Sequence, residues 1–116
     1  EIIRFCNKQG LTIVGGAQKL FTYFCKTYNP NNVISYCDLR WFTGKTYEKL
    51  GMTLLRETDP SYWYTNYSDR FHRSNFTKRS LVAKGYSSQL TEQQIMEQLN
   101  YDKIWDCGNK VFVYER

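Results

Sequence analysis

The chain has one histidine (His72), two prolines and two methionines, and none of its four cysteines stands in a Cys-x-x-Cys pair. These scarcities exclude a good deal. Cys6, Cys25, Cys37 and Cys107 lie in four separate segments, so a zinc site would have to gather its ligands from across the chain. They read instead as reduced thiols of an intracellular protein, and Cys6, Cys25 and Cys37, each beside apolar neighbours, are expected in the core. There is no Ser/His/Asp set, no H-N-H metal-nuclease motif and no phosphate-binding P-loop. No run of about 18 apolar residues is present, so no membrane span is expected. No signal-peptide pattern, repeat, low-complexity tract or linker is present either.

What is abundant is aromatic and basic. Phe, Trp and Tyr make up 17% of the 116 residues, with ten tyrosines, and the formal net charge is +5. A pI near 9.1 favours a polyanionic partner, while tyrosine serves a core or an interface equally well. The length allows one domain with one modest core. The chain opens on Glu1 and goes directly into an apolar segment, from which we expect a piece of a longer protein.

Two stretches, Val14–Leu20 and Ser35–Met52, switch from a strand pattern to a helix at a glycine-bearing turn. We therefore expect an α/β (α+β) fold: a mixed, largely antiparallel sheet with packed helices. Ile2–Cys6 reads as a first strand, and Leu11–Val14 leads into Gly15-Gly16. From Ala17, the apolar residues Leu20, Phe21, Phe24 and Tyr28 recur at helical spacing, and Asn29-Pro30 ends that helix. Val33–Leu39 reads as a second strand. Thr43 is placed as the N-cap of a short helix through Tyr47 and Leu50, closed by Gly51. Met52–Leu55 and Tyr62–Tyr67 follow as strands. Thr91 and Gln94 form a capping box for a helix over Thr91–Leu99. Lys103–Trp105 and Val111–Tyr114, flanking Asp106–Asn109, are expected to pair as a closing hairpin. Residues 1–116 are thus expected as a single domain, with an α/β core over 1–66 and a basic segment, helix and hairpin over 67–116.

The composition shifts once. Arg70, Arg73, Lys78, Arg79 and Lys84 fall in one run that contains no acid, interleaved with Phe71, Phe76 and Leu81. Such a run can neutralise phosphates and release counterions while aromatics such as Phe71 and Tyr67 pack on sugars or bases. The alternative is a solvated surface that keeps the domain soluble. His72 lies inside the run and is read as part of that surface, not as a catalyst. Gly15-Gly16-Ala17 opens a helix whose unpaired N–H groups could hold a phosphate, with Lys19 one turn on; a tight turn and a solvated lysine are the alternatives. Asp38 and Arg40 end a strand, where an open α/β sheet would place a ligand crevice, or where a local ion pair under Trp41 would close the loop. Tyr47 is either a proton donor or a core residue beside Leu50.

Two resemblances follow from these motifs. The order strand, glycine turn, helix, strand and short helix with Thr46-Tyr47-Glu48-Lys49-Leu50-Gly51-Met52 resembles the second half of the GNAT acyltransferase fold, over about residues 1–66. It implies that Gly15, Gly16 and Ala17, with Lys19, hold the pyrophosphate of an acyl-CoA, and that Tyr47 is the general acid. The Arg or Gln that normally precedes the glycine turn in that family is absent here. Nearly the whole chain, from Arg4-Phe5-Cys6 and Val14-Gly15-Gly16-Ala17-Gln18-Lys19-Leu20 through Ile34–Met52, Pro60–Tyr64, His72–Leu81, Thr91–Met96 and Lys103–Asn109, resembles the C-terminal region of phage-encoded homing endonucleases related to very-short-patch repair nucleases. That resemblance implies a DNA-binding accessory domain without the nuclease active site, joined to an upstream nuclease domain and acting in the cytoplasm of a bacterial host. Arg40, Arg70, His72, Arg73, Lys78, Arg79 and Lys84 would contact double-stranded DNA, with no metal and no cofactor. The alternative is a GNAT-like acyltransferase or DNA-base-modifying enzyme using a CoA thioester. An unprotected edge at the first strand would also allow a homodimer.

Overall fold

A helix begins where the double glycine stands. Gly15 takes a left-handed conformation (φ 70°) and caps α1, Gly16–Tyr28. The helix ends at Asn29, which is left-handed (φ 45°) and donates its N–H to the Cys25 carbonyl at 2.9 Å. Pro30 then prevents continuation, as the sequence predicts. The computed structural model describes residues 1–116. The chain divides into two compact units, Glu1–Asp59 with Cys107–Arg116, and Pro60–Asp106. Both are mixtures of helix and antiparallel sheet, so the expected α+β class holds. No helix is long and apolar enough to cross a membrane.

In the first unit, β1 (Asn32–Asp38) and β2 (Thr53–Glu57) flank β6 (Asn109–Glu115), and both pair with it antiparallel. β1 alternates, burying Val33, Ser35 and Cys37 on one face. Opposite them stand Tyr114, Phe112 and Lys110 of β6. Phe21 of α1 packs with Val33, Cys37, Met52 and Phe112 into the core of this unit. Of the apolar stripe predicted on α1, only Phe21 is buried; Leu20, Phe24 and Tyr28 are exposed. The short helix α2, Lys45–Lys49, is capped by Gly44 (φ 86°) with no side-chain cap, so Thr43 does not serve as its N-cap. The reason is local: the chain passes Phe112 so closely that only a residue without a Cβ fits, and the turn is made there.

Two other expectations fail in this unit. Ile2–Cys6 is not a strand, because only Ile2 bridges to Ser35, in parallel, with its N–H on the Ile34 carbonyl at 2.8 Å. Cys6 is exposed, and only Cys37 of the four thiols is buried. The expected hairpin of Lys103–Trp105 with Val111–Tyr114 does not form either. Gly108 (φ 80°) sits against the Thr58 carbonyl, where a Cβ would clash. Thr58 and Asn109 then exchange hydrogen bonds of 2.8 and 2.9 Å, which commits β6 to the sheet of β1 and β2.

In the second unit, β3 (Tyr62–Thr65) lies between β4 (Arg70–His72) and β5 (Asp102–Trp105), all antiparallel. A 3-10 turn (Arg73–Phe76), α3 (Lys78–Ala83) and α4 (Glu92–Gln98) complete it. Tyr64, Leu81, Ile95 and Met96 form its core, bordered by Phe76, Tyr86, Leu90, Leu99 and Tyr101. Each aliphatic side chain fully withdrawn from water here is worth about 1.5–3 kcal/mol. Both hydrogen bonds of the capping box form: Gln94 N–H on Thr91 Oγ1 at 3.2 Å and Thr91 N–H on Gln94 Oε1 at 2.9 Å. The hydroxyl of the buried Tyr64 donates to Glu92 Oε1 at 2.7 Å, and Tyr62 donates to the same oxygen at 3.3 Å. Burial, reinforced by that carboxylate, pushes the Tyr64 hydroxyl pKa far above its usual range. The predicted strand Tyr62–Tyr67 is shorter, because Tyr67 turns left-handed (φ 72°).

Candidate nucleic-acid interface

The acid-free run Arg70–Lys84 occupies three consecutive elements of the second unit: β4, the 3-10 turn and the whole of α3. Arg70, His72, Arg73, Lys78, Arg79 and Lys84 are all exposed. Pairing explains how some of them are held. Trp63 lies opposite His72, and Thr65 opposite Arg70, so Trp63, Arg70 and His72 share the face of the sheet away from Tyr64. The Arg70 guanidinium sits 4.5 Å above the Trp63 ring, and His72 meets the same ring edge-on at 5.0 Å. Lys84 lies 5.6 Å from the Phe76 ring centre, and Arg73 5.8 Å from that of Tyr62. These contacts seat the charged heads against ring faces while the residues stay exposed to water.

His72 also has a structural task. Its Nδ1 accepts the Ser74 N–H at 3.2 Å and lies 2.6 Å from Ser74 Oγ, capping the 3-10 turn. Nδ1 is thereby occupied, which leaves Nε2 as the atom available to an outside partner.

Lys78 and Arg79 stand in the first turn of α3, which Thr77 caps through the Ser80 N–H at 3.3 Å and which contains no acid. Cations there oppose the helix dipole, at a cost of about 0.3–1 kcal/mol each at low salt. Fold stability therefore does not account for them.

Arg40 belongs to the first unit. Its N–H donates to Asp38 Oδ1 at 2.9 Å, and the Trp41 and Phe42 N–H groups both reach the Asp38 carbonyl, so Asp38 closes a local turn. Trp41 does not pack over it, being 73% exposed. Since β1 pairs antiparallel with β6, the crevice argument for Asp38 and Arg40, which requires parallel strands, does not apply.

The residues of the acyl-CoA alternative come together only in part. The first unit has a cavity of about 1060 Å³, lined by Ala17 and Tyr47 together with Ile2, Phe5, Leu20 and Phe42. Gly15, Gly16 and Lys19 do not line it. The Gly16 N–H already donates to the Ile13 carbonyl at 3.2 Å, as expected of a tight turn. Tyr47 packs on Phe112 with ring centres 5.4 Å apart and borders the core. No three His, Cys, Asp or Glu side chains converge into a possible metal site.

The rings beneath the cations (Tyr62, Trp63 and Phe76) and the neighbouring Lys103 and Trp105 were not predicted as site residues. Lys103-x-Trp105 is a same-face spacing on a strand, but its meaning depends on β5 pairing with β3, which the sequence does not disclose. No protein family, curated protein or solved structure matches this chain.

Proposed function

We propose that this chain is a DNA-binding module, the accessory part of a phage-type homing endonuclease that grips DNA while cleavage is carried out elsewhere. One observation carries the reading. Arg70, Arg73, Lys78, Arg79 and Lys84 are exposed on consecutive elements of one small unit, with no carboxylate in the run. Two of them sit where they disfavour their own helix, and three rest on aromatic rings. Phosphates along a DNA backbone would reverse that penalty and neutralise the run.

The test is duplex binding across a salt series. Each phosphate contact contributes a slope of about −0.9 in log K against log salt, so five contacts predict roughly −4.5. Lys78→Gln with Arg79→Gln, which touches no ring contact, should flatten the slope by about 2. An unchanged slope would move the contact surface off this run. No duplex binding even at low salt, together with a rise in melting temperature on adding coenzyme A, would transfer the proposal to the acyl-CoA alternative, which rests on the cavity that Ala17 and Tyr47 share.

A further inference from the structure

Trp105 is 52% exposed and sits on β5, an outer strand of the second unit's sheet. It stands directly opposite Tyr62, with ring centres 5.0 Å apart. Lys103, two residues back on the same strand face, places its ammonium 4.4 Å from the Tyr62 ring centre and 5.9 Å from that of Trp105. Arg73 approaches Tyr62 at 5.8 Å. The strand end is held by a reciprocal clamp, Ser61 N–H on Asp106 Oδ1 and Asp106 N–H on the Ser61 carbonyl, each 2.8 Å. The carboxylates nearby are already engaged: Asp106 in that clamp, and Glu92 by the hydroxyls of Tyr62 and Tyr64. The result is a half-open indole stacked on Tyr62, with Lys103 reaching both rings and Arg73 approaching the Tyr62 ring.

A flat ring flanked by cations has the chemistry of a nucleotide site: the base stacks on the indole, and the phosphate meets the ammonium and guanidinium. Inside a duplex every base is already stacked on its neighbours, so such a ring is reached only by a base that has left the stack. We infer that Tyr62, Arg73, Lys103 and Trp105 form a site for an unpaired nucleotide of DNA, with its base stacked on Trp105 and its phosphate held by Lys103 and Arg73. This rests on the DNA-binding reading above and adds a preference to it: DNA with a single-stranded stretch, end or gap is bound better than a closed duplex of equal length.

The experiment measures binding of a fluorescent oligo-dT strand about 12 nucleotides long, within the ~4–16 that a small binding fold covers, and of a blunt duplex of the same length. Trp105→Ala should weaken binding of the single strand roughly 5- to 100-fold, as the loss of one base–aromatic stack does, and change duplex binding less than about twofold. Trp105→Phe, which keeps a ring, should retain most of the affinity. Indole emission of the unmodified protein should be quenched by oligo-dT, and Trp105→Phe should reduce that quenching to what Trp41 and Trp63 contribute, a readout that stands even if Trp105→Ala fails to fold. Equal losses on single strand and duplex, or oligo-dT binding and emission that do not depend on residue 105, overturn the inference and leave the DNA-binding reading in place. Duplex binding without any binding of oligo-dT does the same. No binding of either DNA overturns both.

Discussion

Gly44→Ala is the substitution whose cost the structure defines best. A Cβ at Gly44 would stand 2.5 and 2.6 Å from two carbons of the Phe112 ring. That ring is wholly buried and packs on Tyr47, so it has no free direction in which to retreat. Gly44 is also left-handed, at φ +86°. Holding a residue with a Cβ in that conformation costs about 1–2 kcal/mol. Forcing an extra carbon into a packed core costs about 1–3 kcal/mol. The expected loss is therefore about 2–5 kcal/mol. Gly51 supplies the matched comparison, with φ +84° and nothing within 4 Å of its added Cβ, so Gly51→Ala carries the backbone cost alone. Urea unfolding followed by circular dichroism should rank the two variants, separated by about 1–3 kcal/mol. Adding Phe112→Leu should restore part of the Gly44→Ala loss, giving a double-mutant cost below the sum of the singles. Equal costs for the two glycine variants, within about 0.5 kcal/mol, would refute the packing argument.

Tyr64→Phe keeps the buried ring and deletes the donor to Glu92, and should cost about 1.5–3 kcal/mol in the same urea assay; a variant as stable as the parent would mean that the hydroxyl contributes no net stability. The thiols should divide by accessibility, with Cys6 and Cys107 reacting rapidly with a disulfide reagent in the folded protein and Cys37 reacting only on unfolding. Burial raises the Cys37 pKa, so the fold favours the protonated thiol. The stability this provides is complete below the unfolded-state pKa, about 8.5, and declines as the pH rises past it. Urea midpoints should therefore fall above that pH, and the part due to Cys37 should vanish in Cys37→Ser.

Features written in neighbouring residues were legible in the sequence. Asn29-Pro30 ends α1, and Thr91 with Gln94 starts α4, because each depends on hydrogen bonds or steric limits within a few positions. Strand partnership was not legible. Lys103–Trp105 and Val111–Tyr114 have the spacing of a hairpin, yet each finds its partner more than thirty residues away. Ile2–Cys6 has the composition of a strand but offers only one residue to the sheet. The candidate site divides in the same way. Five cations announce themselves by composition, whereas the rings beneath them emerge only once Trp63 is set against His72 and Tyr62 against Trp105.

The placement of β6 has a consequence for how the polypeptide matures on the ribosome. The middle strand of the first sheet is translated after both of its neighbours and after the entire second unit. Until it emerges, β1 and β2 have no strand between them, and Phe21, Val33, Cys37 and Met52 lack the Phe112 ring that closes over them. The Pro60–Asp106 segment, whose strands pair with one another and whose core residues all lie within it, can settle during this interval. A ribosome stall or proteolytic cut just before Asn109 would leave that segment intact and release a first unit with its sheet opened through the centre, a species with two unpaired strand edges and a strong tendency to aggregate.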